Sequence, residues 1–226
     1  MKAGSKGGLW GLLFLALAGG IGLRLAASSR PPRPPARELP FLGTVPDFTL
    51  TERSGKPVSA KELAGRVWIA DFIFTRCSSV CPLMTAKMEG LRRELSDLPS
   101  LRFVSFTVDP AWDSPKRLST YADIYTQDKE RWFFLTGKKE AVHALIRNGF
   151  RLTAQERPPS KVPPGEDPII HSQRFVLVDG ELRIRGYYDA LEAGSLETLE
   201  DDVRALLKSP SRHGIPAMGV RHVPGA

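Results

Sequence analysis

The fold of this chain turns on residues 66–88, RVWIADFIFTRCSSVCPLMTAKM. Residues 66–74 form a nearly unbroken apolar run rich in β-branched and aromatic side chains, the pattern of a strand covered on both faces. A second pattern takes over at Pro82. Met84, Met88, Leu91 and Leu95 recur on one helical stripe, with Lys87, Glu89 and Arg93 turned away from it, so a helix is expected to open at the proline. Cys77 and Cys81, the only two cysteines, fall between the two patterns, just past the carboxyl end of the strand. In open α/β sheets that edge gathers ligands and reactive groups. Cys81 directly precedes Pro82, which puts Cys81 at the N-cap and Pro82 at the first helical position. A sulfur there faces free backbone amides and the positive end of the helix dipole, a setting that favours thiolate.

Working outward, further elements alternate. Upstream, residues 47–63 (DFTLTERSGKPVSAKEL) read as a strand, a turn at Ser54-Gly55 and a second short strand. Downstream, residues 101–108 (LRFVSFTV) read as a strand, and Ser114-Pro115 caps a helix running to about Gln127. Residues 131–137 (RWFFLTG) are strand-like, and a helix over 138–149 turns Val142, Leu145 and Ile146 inward. After a Pro-rich stretch, residues 173–188 (QRFVLVDGELRIRGYY) read as a hairpin with Asp179-Gly180 at its turn, and residues 195–208 as a closing helix. The order β-β-β-α-β-α-β-α-β-β-α predicts an α/β three-layer sandwich with an N-terminal β-hairpin extension.

The N-terminus predicts a membrane address. Lys2 and Lys6 precede an uncharged run from Gly7 to Leu23, the pattern of an export signal. Residues 1–27 are expected to form a single transmembrane anchor near the lower limit of length for a span. An anchor is favoured over a cleaved signal peptide because no strong small-x-small cleavage pattern stands out, with cleavage left open. The basic flank belongs on the cytoplasmic side, which puts the domain on the periplasmic or extracytoplasmic side of a bacterial cytoplasmic membrane. Residues 28–44 are a Pro-rich linker whose first part, SSRPPRPPARELP, reaches up to about 40 Å as polyproline II. The folded domain is expected over 45–208, with a disordered tail over 209–226. The formal charge of +7 does not point to nucleic acid: four basic and no acidic residues lie within residues 1–30, leaving 28 basic against 25 acidic elsewhere, with no long basic run.

Two thiols three residues apart serve a disulfide, a redox dithiol or a metal. A structural disulfide closing so short a loop gains little loop-closure stabilisation. A redox dithiol would make Cys77 and Cys81 catalytic, but the spacing is not Cys-x-x-Cys, and Pro168 sits a few residues too early to oppose the pair. The histidines decide. His143 belongs to the 138–149 helix at the boundary of its inward face. His213 and His222, with Met218 between them, lie in the tail, where solvation outweighs metal loading. His171 opens the strand after the Pro-rich loop, at the sheet edge expected to hold the cysteines. Two thiolates and an imidazole form a soft three-coordinate site suited to Cu(I), and an added oxygen ligand would open it to Cu(II). Zinc in a structural role would need a fourth ligand, for which there is no evident candidate. Met84 and Met88 share the stripe of Leu91 and Leu95 and are assigned to the core.

With these residues in place, DFIFTRCSSVCPLMTAKM, FVSFTVDPAWDSP, FFLTG and IIHSQRFVLVDG fall in the order and at about the spacing of the Sco/SenC family, which the chain resembles over roughly residues 45–207. The resemblance implies a thioredoxin-like fold, a membrane anchor, one copper held by Cys77, Cys81 and His171, and a role in assembling the binuclear copper centre of cytochrome c oxidase. Its partner would then be the oxidase subunit carrying that centre, or another copper protein. Asp109 matches a family position near the site and is expected to act outside the ligand sphere or at a partner contact. Ser78-Ser79 departs from the Pro and Asp that many relatives carry there, which removes a carboxylate. Two other readings stay open: a thiol-disulfide oxidoreductase that reduces an acceptor's cysteines and needs no His171, and a thiol peroxidase. The second is supported by Thr75 two residues before Cys77 and weakened by the missing upstream Pro.

Overall fold

The computed structural model of the 226-residue chain describes residues 38–163 and 167–208. The predicted anchor (1–27), most of the predicted linker and the tail with His213, Met218 and His222 lie outside the described residues. Among the described residues no helix is long and apolar enough to cross a membrane.

Strand β4 (Trp68–Ile73) is the axis of the molecule, and all six of its residues are buried. It pairs in parallel with β5 (Arg102–Thr107), which pairs in parallel with β6 (Trp132–Thr136). On its other side β4 pairs antiparallel with β9 (Arg174–Val178), and β9 with β10 (Arg183–Asp189). The expected hairpin extension is present as β2 (Thr49–Glu52) and β3 (Pro57–Ser59), paired antiparallel and attached beyond β6. At the opposite edge β1 (Gly43–Thr44) pairs with β10, and Leu39 is buried, so folded structure extends into the stretch read as linker. The sheet order is β1-β10-β9-β4-β5-β6-β2-β3.

Right-handed crossovers place α2 (Cys81–Glu94) and α3 (Pro115–Tyr125) on one face of the parallel strands. Thr85 of α2 and Tyr121 of α3 share a hydrogen bond of 2.7 Å. The closing helix α5 (Ser195–Lys208) joins them, its Arg204 reaching Asp97 at 2.6 Å and the Glu94 carbonyl at 3.1 Å. A short helix α1 (Ala60–Leu63), closed by a Ser59/Glu62 capping box, leads into β4. The helix expected over 138–149 changes character midway: α4 (Lys139–Ala144) continues as a π-helical turn over Leu145–Gly149. The wider turn swings Phe150 against Trp68, Phe72 and Phe106 at centroid distances of 6.1, 5.0 and 5.3 Å, forming the second core layer. In the last hairpin, Asp179-Gly180 forms part of a four-residue connection rather than a two-residue turn. Leu182 takes the positive φ of 60°, and Asp179 accepts from Glu181 and Arg183 amides.

Because Phe150 is fully buried among three rings, Phe150→Ala should cost about 3–5 kcal/mol. Urea unfolding of the soluble domain checks this, and a loss below about 1 kcal/mol would mean that the π turn does not hold the second layer.

Candidate metal centre

At the end of β4 the chain is tied down before it reaches the cysteines. The buried Asp113 accepts from the Thr75 amide at 3.1 Å and from the Thr75 and Thr107 hydroxyls, both at 2.5 Å. The ends of β4 and β5 are thereby joined through one carboxylate. The next residue, Arg76, pairs with Asp109 at 2.6 Å and lies over Trp112, which also carries Arg117 on its ring. Asp109 therefore reaches the cysteine loop through an arginine rather than through the sulfurs.

Helix α2 begins at Cys81, with Val80 as N-cap and Pro82 in the first turn, one residue from the expected cap. The shift changes which sulfur meets the free amides. Cys77 Sγ, four residues back, accepts from the Cys81 N–H at 3.4 Å. Cys81 itself is fully buried, and both cysteines are free.

His171 arrives by the antiparallel pairing of β4 and β9. Trp68 lies opposite Val178 and Ala70 opposite Val176, so the chain that precedes β9 comes from the carboxyl end of β4. The expectation that His171 opens a buried strand is corrected: the main-sheet strand starts at Arg174, and His171 ends a separate strand, β8 (Ile169–His171), paired with β7 (Ala154–Glu156). Strand β7 comes from the stretch read as a Pro-rich loop, and β8 from the residues read as the opening of the buried strand. Its ring stands edge-on to Phe74 at 5.5 Å, and Nδ1 lies 3.0 Å from the Ser172 carbonyl. Donation from Nδ1 leaves Nε2 as the free acceptor, the orientation expected of a metal-binding imidazole. Nε2 is 3.3 Å from Cys81 Sγ, and the donor atoms of Cys77, Cys81 and His171 all lie within 4.8 Å of one another. These three residues could hold a metal ion. Among the described residues no fourth His, Cys, Asp or Glu joins the cluster.

The two sulfurs are electrostatically unequal. Hydrogen bonding from the Cys81 side chain, aided by His171 and the Cys81 amide, holds Cys77 well below the usual thiol range. The same pairing, with burial, pushes Cys81 up. Of the two sulfurs, Cys77 is the one favoured toward thiolate and Cys81 the one favoured toward thiol. Beneath them Asp71 is the single charged residue of β4, fully buried, with no hydrogen-bond partner for either carboxyl oxygen. Burial pushes it up to about 7, against the smaller opposing influences of Ser105 and His171.

Several residues went unassigned in the sequence. Asp71 stood out as a lone acid in an apolar run, a visible signal. Asp113 and Asp167 carried none, since their contacts depend on tertiary placement. Asp167 accepts from Ser79 Oγ at 2.5 Å and from the Ser78 amide at 3.3 Å. His143, expected at a boundary, is buried and bonded to the Val108 carbonyl at 2.9 Å, so its place is structural. Met84 and Met88 are fully buried core residues, as expected.

Residues 39–208 match the SCO1/SenC family, and the chain belongs to it. It is 36% identical over 163 residues to the SCO1 protein homolog of Bacillus subtilis, across 71% of this chain and 81% of that one. The mixed α/β, thioredoxin-like fold is shared with BsSco, described as a member of the Sco family of cytochrome c oxidase assembly proteins with a disulfide switch. The identity is 33% and the TM-score 0.66, covering 76% of this chain and 99% of that one. Yeast Sco1 with copper bound is 28% identical with a TM-score of 0.57, covering 70% and 87%.

The raised acid makes a pH prediction. Unfolded, Asp71 titrates near 3.8, and folded near 7. The unfolded chain therefore loses its proton first, and this site's penalty on stability grows as pH rises from about 4 to about 7, then levels off. Asp71→Asn should accordingly gain stability relative to wild type between pH 5 and pH 8, by about 2–4 kcal/mol. Urea titrations of both metal-free proteins at the two pH values measure the difference, which cancels other titrating groups. A difference that does not change with pH would show that the carboxyl is not held neutral.

Proposed function

We propose that the chain is a copper chaperone that receives copper through Cys77, Cys81 and His171 and assists assembly of the binuclear copper centre of cytochrome c oxidase. The observation that carries this reading is the convergence of two sulfurs and one imidazole nitrogen, each from a different local element, within 4.8 Å. The donor set is soft, compact and short of the four ligands that structural zinc takes, which suits Cu(I). The copper-bound yeast relative and the oxidase-assembly description of BsSco support the cargo and its destination. The partner is then the oxidase subunit bearing the copper pair, or another copper protein.

Copper is the cargo, and the residues divide its handling. Cys77, already favouring thiolate, takes the ion first. Cys81 releases its proton when its sulfur joins, so loading liberates acid. Nε2 of His171, aimed by the bond from Nδ1, closes the site. Handover proceeds by exchange of one ligand at a time, and oxidation of the two sulfurs to a disulfide blocks reloading. An anchor over residues 1–27 and the Pro-rich spacer would hold the domain outside the cytoplasmic membrane, within reach of a membrane-bound acceptor.

The inequality of the two thiols supports one alternative, a thiol-disulfide oxidoreductase in which Cys77 attacks an acceptor's disulfide. The readings separate on His171. In anaerobic competition against a coloured Cu(I) chelator, the reduced soluble domain should hold one copper. His171→Ala should weaken it about a hundredfold, from about 3 kcal/mol per ligand, and Cys77→Ser should abolish tight binding. Equal binding with and without His171 would favour the oxidoreductase.

A further inference from the structure

The cysteine loop is gripped from across the site by a residue that is not one of the three converging donors. Asp167, four residues before His171, sits against the residues between the two cysteines. Its carboxylate accepts from Ser79 Oγ at 2.5 Å and from the Ser78 amide at 3.3 Å, and Cys77 Sγ lies 3.3 Å from it. These contacts join positions 88 to 90 residues apart in the chain. A bond from that sulfur exists only while Cys77 is protonated. Those from the Ser79 hydroxyl and the Ser78 amide do not depend on the state of the sulfur.

On its far side the same segment is held by β7: Glu156 lies opposite Ile169, and the Arg157 amide donates to the Pro168 carbonyl at 2.8 Å. The chain that delivers His171 is thus fastened at two places, to the ribbon behind it and to the cysteine loop in front. The second fastening joins the imidazole's segment to the loop that carries the sulfurs, beside the 3.3 Å approach of His171 Nε2 to Cys81 Sγ.

We infer that Asp167 is a positioning residue for metal capture: it latches the His171 segment onto the Cys77–Cys81 loop and so raises the effective concentration of the imidazole at the two sulfurs. This rests on the copper-binding reading above. Asp167 acts through His171 and not as a ligand, in keeping with its place outside the three-residue cluster. The serines at 78 and 79 are its counterpart, offering donors at the position where a carboxylate on the loop would repel it. Holding two ligand-bearing segments together before the ion arrives removes part of the ordering cost of closing the site.

The test is a double-mutant cycle read by anaerobic Cu(I) competition with a coloured chelator, paired with amide exchange on the metal-free protein. Asp167→Ala should weaken Cu(I) binding about tenfold in the wild-type background, and less than about twofold in the His171→Ala background. Asp167→Asn, which keeps an acceptor for the loop, should stay within about threefold of wild type, and Ser79→Ala should move in the same direction as Asp167→Ala. In the metal-free protein the Ser78 amide should exchange faster in Asp167→Ala and unchanged in His171→Ala.

An equal loss from Asp167→Ala with and without His171 would overturn the inference, because the residue would then act independently of the imidazole. Asp167→Asn binding as poorly as Asp167→Ala would also overturn it, by assigning the charge a direct contact with the ion. No change from Asp167→Ala in either measurement would show that the latch has no consequence. If the wild-type protein instead showed no Cys77-dependent copper binding, the functional reading would fall, while Ser78 exchange would still report whether the latch exists.

Discussion

The antiparallel pairing of β4 with β9 is the constraint on which the site depends. A parallel neighbour would carry its own carboxyl end to the cysteine loop, whereas an antiparallel one brings the residues that precede it. That geometry lets chain almost a hundred residues downstream arrive beside a loop already set by β4. Both strands are buried on both faces where they pair, so a slip of one residue would exchange side chains of different size between two close-packed layers. The register is therefore enforced by the core, and the position of the imidazole follows from it.

Buried carboxyl groups then fix the details, each in a different way. Asp113 has three donors and serves as a knot between two strand ends. Asp109 has a cation, Arg76, and holds the residue next to Cys77 in place. Asp71 has neither and remains an unpartnered group under the sulfurs, the kind of buried polar exception that costs stability and is more often found beside chemistry than in plain core. Three acids near one sheet edge thus do three different jobs, and composition alone does not distinguish them.

Much of this was legible in the sequence where a local pattern coincides with a structural element. The apolar run of β4, the stripe of α2, the Ser114-Pro115 start of α3 and the strand pair at 49–59 all have short-range signatures, and the choice of Cys77, Cys81 and His171 followed from placing their elements at one edge. What escaped has long-range causes. Strand β7 hides in a segment whose prolines argue against strands, and its partner β8 lies in residues read as the start of the following strand. The π turn ends at Gly149, where a Cβ would come within 2.7 Å of Pro46, and delivers Phe150 to its place among three rings, both long-range matters. The Cys81 amide finds its acceptor in Cys77 Sγ, a contact between side chain and backbone that residue type does not announce.

The separateness of the β7–β8 ribbon has a consequence for how such a protein can change over generations. The ribbon contributes the imidazole but shares no ladder with the main sheet. The length of chain between its strands can change at little thermodynamic cost, provided Asp167 keeps its place against the cysteine loop. The third donor is thus carried on a separate ribbon, seated on the core through Ala154 and Ile169, while the cysteines are carried by a strand and helix of the main sheet layer. Two parts of one binding site can be reshaped under separate selection, and affinity can be retuned without refounding the fold.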